Sequence, residues 1–497
     1  MTLSIFDAAA EAGASAALVI AGRTVSFAEL GRRVAGRLAL VAGTEYTPAA
    51  PEPVALVGAP TLGTLELVLS CFALGVPAVL LHPRSPPPAR RAAAAALGAR
   101  LLDASEACGE ATLPSEAPRG GRARSAPGRL ATPLAAAGIA PPPDDDRALV
   151  VVPTSGSSGA PKAVILSRRA IVASARASAE HLGWEPDDRW LLALPIAHVG
   201  GLSVLTRCLI ARRTVVVSPS AEPVVLPDVI ARERVTLLSL VPTQVVRLLA
   251  AGYRPPPSVR AILVGGAPCP ADVLARAAAA RWPLLTTYGL TETASQVTVQ
   301  PRGTSPRADL GVGVPIPGVE VTTRGGRIAV RGPTLATGYA VGFAEHSAST
   351  GCTRASGAPP WVVEPLPLDA EGWFLTADLG HLDPAGRLHV HGRADSILIT
   401  GGEKVVPERL EAELVGLPEI AEAAVTGRPD PEWGQRVVAF VVWSGEPMDL
   451  DELRARLRGR LAAHELPREL HGLTELPRSP SGKLDRPALA ALVARVA

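Results

Sequence analysis

At 497 residues the chain exceeds what one hydrophobic core ordinarily serves, so roughly three units of usual domain size are expected. Lysine plus arginine (49) nearly cancels aspartate plus glutamate (47), and no basic block with interleaved aromatics occurs, which sets aside nucleic acid as the main partner. Five cysteines without a C-x-x-C pair argue against a disulfide framework or a zinc site, and no run nears the roughly 18 apolar residues of a spanning helix.

The N-terminus "MTLSIFDAAAEAG" has no basic start and no long apolar run, so a cytoplasmic location is expected. Hydrophobic residues reach 47% but aromatics only 3%, so the core must be built mainly from alanine, valine and leucine. In chain order, "PVALVGAP" precedes "TLELVLSCFALG", "PAVLLHP" precedes "PARRAAAAALG", and "TLLSLVP" precedes "TQVVRLLAAG". Apolar runs alternating with segments of helical period predict β-α units, here two doubly wound α/β subdomains around mainly parallel sheets. Ala104 to Arg147, ending in "PPPDDDR", reads as a surface linker. From about residue 305, and plainly by Gly311, valine-rich pieces with glycine turns predict a small β-barrel or twisted antiparallel sheet. Phe343 to Pro367 reads as a polar, turn-rich loop. The last stretch mixes "PERLEAELVGL", "VVAFVVW" and "DLDELRARLRGRLAAH", predicting a small α+β domain. The expected division is 1–392 and 393–497.

Several stretches carry chemistry. "TSGSSGAPK" follows the apolar "ALVVVP" and offers the hydroxyls of Thr154, Ser155, Ser157 and Ser158, the glycines Gly156 and Gly159, and the cation Lys162. Backbone N–H groups of such a loop can be aimed at phosphates, although the P-loop spacing G-x-x-x-x-G-K fails here and a plain turn has the same composition. In "LLTTYGLTETASQ", Thr291 and Glu292 place a hydroxyl and a carboxylate after a Tyr288-Gly turn, which suits Mg²⁺ beside substrate phosphates. A helix cap reads the same residues equally well. The pair Gly265 and Gly266, before Ala267, lets a flat ring approach the backbone or makes a tight turn. Asp378 in "WFLTADLG" is a candidate for ribose hydroxyls, and Lys483 in "RSPSGKLDR" is either a catalytic cation or a solvated charge.

Taken together and in this order, "TSGSSGAPK", "GGAPCP", "TYGLTE", "WFLTADLG", "GRADSILITGGEKVVPERLE" and "RSPSGKLDR" resemble the adenylate-forming acyl-CoA ligase superfamily, from Val25 nearly to the end of the chain. The resemblance implies an enzyme that joins ATP and a carboxylate into an acyl-adenylate, then exchanges AMP for coenzyme A. It implies that Thr154 to Lys162 bind the β- and γ-phosphates, and that Gly265, Gly266, Ala267 and Tyr288 frame adenine. Thr291 would contact the α-phosphate, Glu292 would hold Mg²⁺, and Asp378 with Arg393 would grip the ribose. Asp395 would be the hinge of a mobile C-terminal domain and Lys483 the adenylation lysine. Ser158 stands where threonine is usual and Ala377 where many members carry glycine; neither removes a functional group.

"LPIAHVGGLSVL", "TYGLTETASQV" and "GGEKVVP" most resemble the branch acting on o-succinylbenzoate in menaquinone biosynthesis. That implies an acyl pocket near His198, Gly201, Ser203, Ser295 and Gln296, with His198 otherwise a packed histidine. A second substrate carboxylate wants a cation at the pocket end, and Arg207 lies in the right stretch. Another aryl- or acyl-CoA ligase, or an enzyme loading a carrier protein, stays open beside this reading. The implied partners are a small carboxylic acid and coenzyme A, with a homo-oligomer compatible.

Overall fold

The computed structural model describes residues 2–44, 46–48, 51–103, 146–154, 162–343, 361–478, 484–493 and 495. Of the linker expected from Ala104 to Arg147, residues 104–145 fall outside them.

Local sequence explains where helices start. Ser26 caps helix Phe27–Ala35, its hydroxyl accepting the Glu29 N–H at 3.2 Å, and Ser167 caps Arg168–Leu182 through the Ala170 N–H at 3.1 Å. Such caps satisfy N–H groups that have no partner inside the helix, each contributing about 1 kcal/mol. Helix Leu62–Leu74 is buried from Thr64 to Leu74, which is why its sequence shows no polar face. Its one carboxylate, Glu66, is held by Arg33 and by Arg37 at 3.1 Å.

Seven strands form one sheet, in the spatial order Trp361–Pro365, Gly338–Phe343, Lys162–Ser167, Ala148–Thr154, Ala78–Leu81, Val54–Val57, Arg100–Leu102. The last four are parallel to one another, and the others are antiparallel to their neighbours. Nine strands form the second sheet, running Val314–Pro315, Ser295–Val299, Leu284–Leu290, Ala261–Val264, Leu237–Leu240, Arg189–Leu192, Thr214–Val217, Ala16–Ile20, Arg23–Ser26. Its six middle strands from Leu284–Leu290 to Ala16–Ile20 are parallel. Helices cover both faces, so central strands such as "AILV" are buried along their whole length.

The unit expected as a small barrel from about residue 305 is a four-stranded antiparallel sheet, Glu320–Arg324, Arg327–Arg331, Phe374–Leu382, Leu388–Arg393. Three pieces of that stretch go elsewhere, the first being Val314–Pro315 at the edge of the nine-stranded sheet. Gly338–Phe343 and Trp361–Pro365 extend the seven-stranded sheet, so the loop expected through Pro367 ends in a strand. The composition reads as loop because four of that edge strand's five residues face solvent. Beyond Leu398 a further sheet, Glu403–Val405, Leu398–Thr400, Gly434–Trp443, Ile420–Asp430, takes Glu469–Gly472 parallel to Gly434–Trp443. Its apolar clusters contain only residues from Leu398 onward. Among the described residues no helix is long and apolar enough to cross a membrane.

Candidate active site

Loops at the carboxyl ends of parallel strands are where an open α/β sheet can carry polar groups without disturbing its core. Here the two large sheets bring such ends together. The Ile196 N–H, beyond strand Arg189–Leu192, donates to the carbonyl of Gly58, beyond strand Val54–Val57, at 3.0 Å. A Cβ on Gly58 would lie 2.6 Å from the Ala197 nitrogen. His82, following Ala78–Leu81, faces His198 across the same seam with ring centroids 5.0 Å apart.

Thr154 and Lys162 are register partners in the hairpin Ala148–Thr154/Lys162–Ser167, and Thr154 Oγ1 donates to the Lys162 carbonyl at 3.0 Å. This pair closes the root of the loop expected to cradle phosphates; Ser155, Gly156, Ser157, Ser158 and Gly159 lie outside the described residues. The Lys162 ammonium sits 4.8 Å from the centroid of the Tyr339 ring. The Tyr339 hydroxyl donates to Glu292 Oε1 at 3.2 Å. One aromatic side chain thereby connects the expected triphosphate cation to the expected Mg²⁺ carboxylate.

Thr291 and Glu292 occupy a single 3₁₀ turn, Thr291–Thr293, between the antiparallel strands Leu284–Leu290 and Ser295–Val299. Ala294 and Ser295 follow with φ of 50° and 104°, conformations that cost non-glycine residues about 1–3 kcal/mol each. The surroundings enforce them. Buried Thr293 Oγ1 accepts the Leu290 N–H and reaches the Ser295 carbonyl, each at 3.1 Å, and Ser174 Oγ donates to the Ala294 carbonyl at 2.7 Å. The Ala336 N–H donates to the Glu292 carbonyl at 2.8 Å, tying the segment before Tyr339 to the same turn.

At the other end Tyr288 donates to Asp378 Oδ2 at 2.6 Å. Asp378 and Arg393 face each other in the hairpin Phe374–Leu382/Leu388–Arg393, with Arg393 Nη1 3.6 Å from Asp378 Oδ1. Arg393 also grips Asp395 in a fork, Nε at 2.8 Å and Nη2 at 2.6 Å. Burial pushes the Asp378 carboxyl above its ordinary range, an effect the Tyr288 hydroxyl and Arg393 partly offset. Burial and the neighbouring Asp378 charge raise the Tyr288 phenol well above its usual value, so it remains a donor. Close by in the nine-stranded sheet, a Cβ on Gly265 would lie 2.9 Å from Thr287 Cγ2, and Gly266 adopts φ +83°. Gly266 thus takes a conformation that favours glycine, and at Gly265 a side chain would meet Thr287. Ala267 is exposed beside them.

His198 precedes helix Val199–Ala211, and a Cβ on Gly201 would run into the Leu194 and Pro195 carbonyls. Ser203 gives its hydroxyl to Gly200 O at 2.9 Å and shares the lining of a small cavity of about 10 Å³ with Thr206, Ser174 and Ala294. Gln296 is buried; its Nε2 reaches Thr287 Oγ1 at 3.3 Å while its Oε1 has no partner. One turn further along the helix, Arg207 is 2% exposed, with Nε and Nη2 unpartnered. Its guanidinium lies 5.4 Å from the Trp190 ring centroid, and burial pulls its pKa down to about 9, so it stays cationic at neutral pH.

Lys483 falls outside the described residues. The segment after it is anchored: Arg486 Nη2 reaches Glu408 Oε1 at 3.0 Å and Glu411 Oε2 at 3.3 Å. Sequence reasoning missed Tyr339 and His82. Neither stands in a chemical motif, and only the pairing of Gly338–Phe343 with Lys162–Ser167 brings Tyr339 to the site.

The family of AMP-binding enzymes matches residues 5–340, and its C-terminal domain matches 409–483. The 2-succinylbenzoate–CoA ligase of Bacillus licheniformis is 34% identical over 339 residues, 66% of this chain and 66% of that one. The probable 2-succinylbenzoate–CoA ligase of Mycobacterium tuberculosis is 38% identical over 345 residues, 67% of this chain and 81% of that one. The aligned stretch thus spans just under two thirds of the Bacillus relative. Among solved structures, the o-succinylbenzoate CoA synthetase of Bacillus subtilis with its acyl-adenylate intermediate superposes with a TM-score of 0.78 at 28% identity, covering 98% of both chains. On the strength of two matched domains and relatives of this span, the chain belongs to the family of AMP-binding enzymes.

Proposed function

We propose that this protein activates a carboxylic acid with ATP and passes the acyl group to coenzyme A, and that the acid is o-succinylbenzoate, a step of menaquinone synthesis. The observation that carries the reading is a site with two ends. Lys162, Tyr339 and Glu292 gather at one, and Tyr288, Asp378 and Arg393 at the other, as a nucleoside triphosphate requires. The named Bacillus and Mycobacterium relatives support the acid, and so does Arg207, a buried guanidinium suited to a second carboxylate.

The acid's carboxylate attacks the α-phosphorus, a P–O bond forms, and pyrophosphate leaves with the electrons of the broken one. Attack brings two anions together, so positioned cations and N–H dipoles at the developing charge matter most. Lys162 neutralises the leaving phosphates, Asp378 accepts from the ribose hydroxyls, and Thr291 offers a hydroxyl near the reacting phosphate. Glu292 fits Mg²⁺, a hard ion bound by one or two carboxylates plus substrate phosphates. Its Oε1 is held by Tyr339, leaving Oε2 for the ion; when bound, Mg²⁺ spreads the phosphate charge. Among the described residues no group of three or more ligating side chains forms a metal cage. Lys483 bridges carboxylate and α-phosphate during adenylation. The bodies 1–392 and 393–497 then rotate about Asp395, withdrawing that lysine so the thiol of coenzyme A can attack the acyl carbon and release AMP. A cytoplasmic location, where ATP and coenzyme A are both supplied, suits this work.

Mass spectrometry of reactions with ATP, Mg²⁺, coenzyme A and a panel of o-succinylbenzoate, benzoate, an amino acid and a fatty acid tests the reading. O-succinylbenzoyl-CoA as the main product is expected. Adenylate without thioester points to a carrier protein as acceptor, and preference for another acid removes the substrate assignment while leaving the chemistry. Lys483→Ala should lower acid-dependent pyrophosphate exchange by several orders of magnitude, roughly 10³-fold or more, yet still convert supplied acyl-adenylate to thioester. Near-normal exchange in that variant would refute its role.

A further inference from the structure

We infer that Tyr339 is a positioning residue that holds the triphosphate cation and the magnesium carboxylate in register, its ring ordering Lys162 and its hydroxyl orienting Glu292. The inference rests on the nucleotide reading above and deepens it. Tyr339 is 6% exposed on strand Gly338–Phe343, paired with Val164 of the strand that begins at Lys162. Its backbone is therefore fixed relative to the lysine by sheet hydrogen bonds.

The two contacts do different things. A Lys ammonium over an aromatic face is attracted by the ring's negative quadrupole, which narrows the directions a long, flexible side chain takes before phosphate arrives. The hydroxyl at 3.2 Å from Glu292 Oε1 engages one carboxylate oxygen and restrains the carboxylate's rotation, so that Oε2 would be the oxygen more available to a bound ion. The Ala336 N–H on the Glu292 carbonyl fixes the backbone of the same carboxylate from the same connecting segment.

The ring and the hydroxyl can be separated. Tyr339→Phe keeps the face under Lys162 and removes the donor to Glu292; Tyr339→Leu removes both. Affinity for the non-cleavable α,β-methylene analogue of ATP, measured calorimetrically across a free Mg²⁺ series, reads the ion's contribution without turnover. Tyr339→Phe should shift the Mg²⁺ dependence about tenfold to higher concentration, as loss of a partner behind a metal ligand does. Its metal-free affinity should stay within about twofold of wild type, whereas Tyr339→Leu should also weaken metal-free binding severalfold. Thermal melting confirms that both variants fold. A Tyr339→Phe curve that superposes on wild type overturns the hydroxyl's role; equal metal-free affinities for Phe and Leu overturn the ring's. Glu292→Gln separates this failure from failure of the nucleotide reading itself: wild type that binds no analogue, or a Glu292→Gln protein with unchanged Mg²⁺ dependence, removes the site.

Discussion

Two guanidiniums, Arg260 partly buried and Arg207 fully buried, flank one strand of the nine-stranded sheet and are treated in opposite ways. Arg260 is satisfied on every arm, by Asp188 through Nε at 2.8 Å and through Nη2, and by the Leu182 and Gly183 carbonyls. Asp188 immediately precedes strand Arg189–Leu192. Arg207 lies against Trp190 of that same strand, is more deeply buried, and has two nitrogens without a partner. A buried cation without compensation costs several kcal/mol. A guanidinium that serves the fold is enclosed together with its acceptors; one left with unpartnered nitrogens is suited to a charge brought from outside.

The largest effect expected is at the satisfied pair. Arg260→Met leaves the Asp188 carboxylate buried without its counter-charge, held only by the Glu185 N–H and the Thr236 hydroxyl, and urea unfolding should register a loss of about 3–5 kcal/mol. Arg207→Met should leave stability unchanged or improve it, since it removes an uncompensated charge from a dry site. Its cost falls on catalysis: kcat/KM for a dicarboxylic acid should drop roughly 10- to 100-fold, the worth of about 1.5–3 kcal/mol for hydrogen bonds to a charged group. A monocarboxylic aryl acid should lose little. If Arg207→Met unfolds the protein as readily as Arg260→Met, the contrast disappears and Arg207 serves the fold.

Sequence made this contrast only half visible. The alternation of "PVALVGAP" with "TLELVLSCFALG" marks β-α units because period and composition are local properties, and the expected strands and helices form where those segments lie. Tyr288, Asp378 and Arg393 were legible as motif members, but their meeting depends on the hairpin register that sets Asp378 opposite Arg393. Edge strand Trp361–Pro365 was hidden because its exposed residues carry no alternation. Whether Arg207 has a counter-charge depends on which side chains the fold packs around it, and no spacing along the chain encodes that. Tyr339 escaped for the same reason, as its partners Lys162 and Glu292 are distant in sequence and meet only through sheet pairing.

The smallest and most discriminating effect concerns two carboxylates that differ as the arginines do. Burial alone would raise Asp188, but the Arg260 guanidinium, the Glu185 N–H and the Thr236 hydroxyl outweigh it and hold its pKa below the usual value. The unfolded chain then binds the extra proton, so Asp188 contributes stability above the ordinary carboxylate range that is lost as pH falls through its lowered folded value. Asp378 behaves oppositely. Burial dominates and raises it, so its penalty is absent below the unfolded value and complete once pH rises through the raised folded one. Asp378→Asn, whose amide oxygen still accepts from Tyr288, should therefore melt at or slightly above the wild-type temperature at neutral pH, with the difference vanishing in acid. The same substitution should weaken ATP binding about tenfold, because a neutral amide accepts less strongly from ribose hydroxyls than a carboxylate does. A melting temperature that falls at neutral pH would mean that Asp378 braces the hairpin to Arg393, and that its exposure to burial without full compensation is not reserved for a nucleotide.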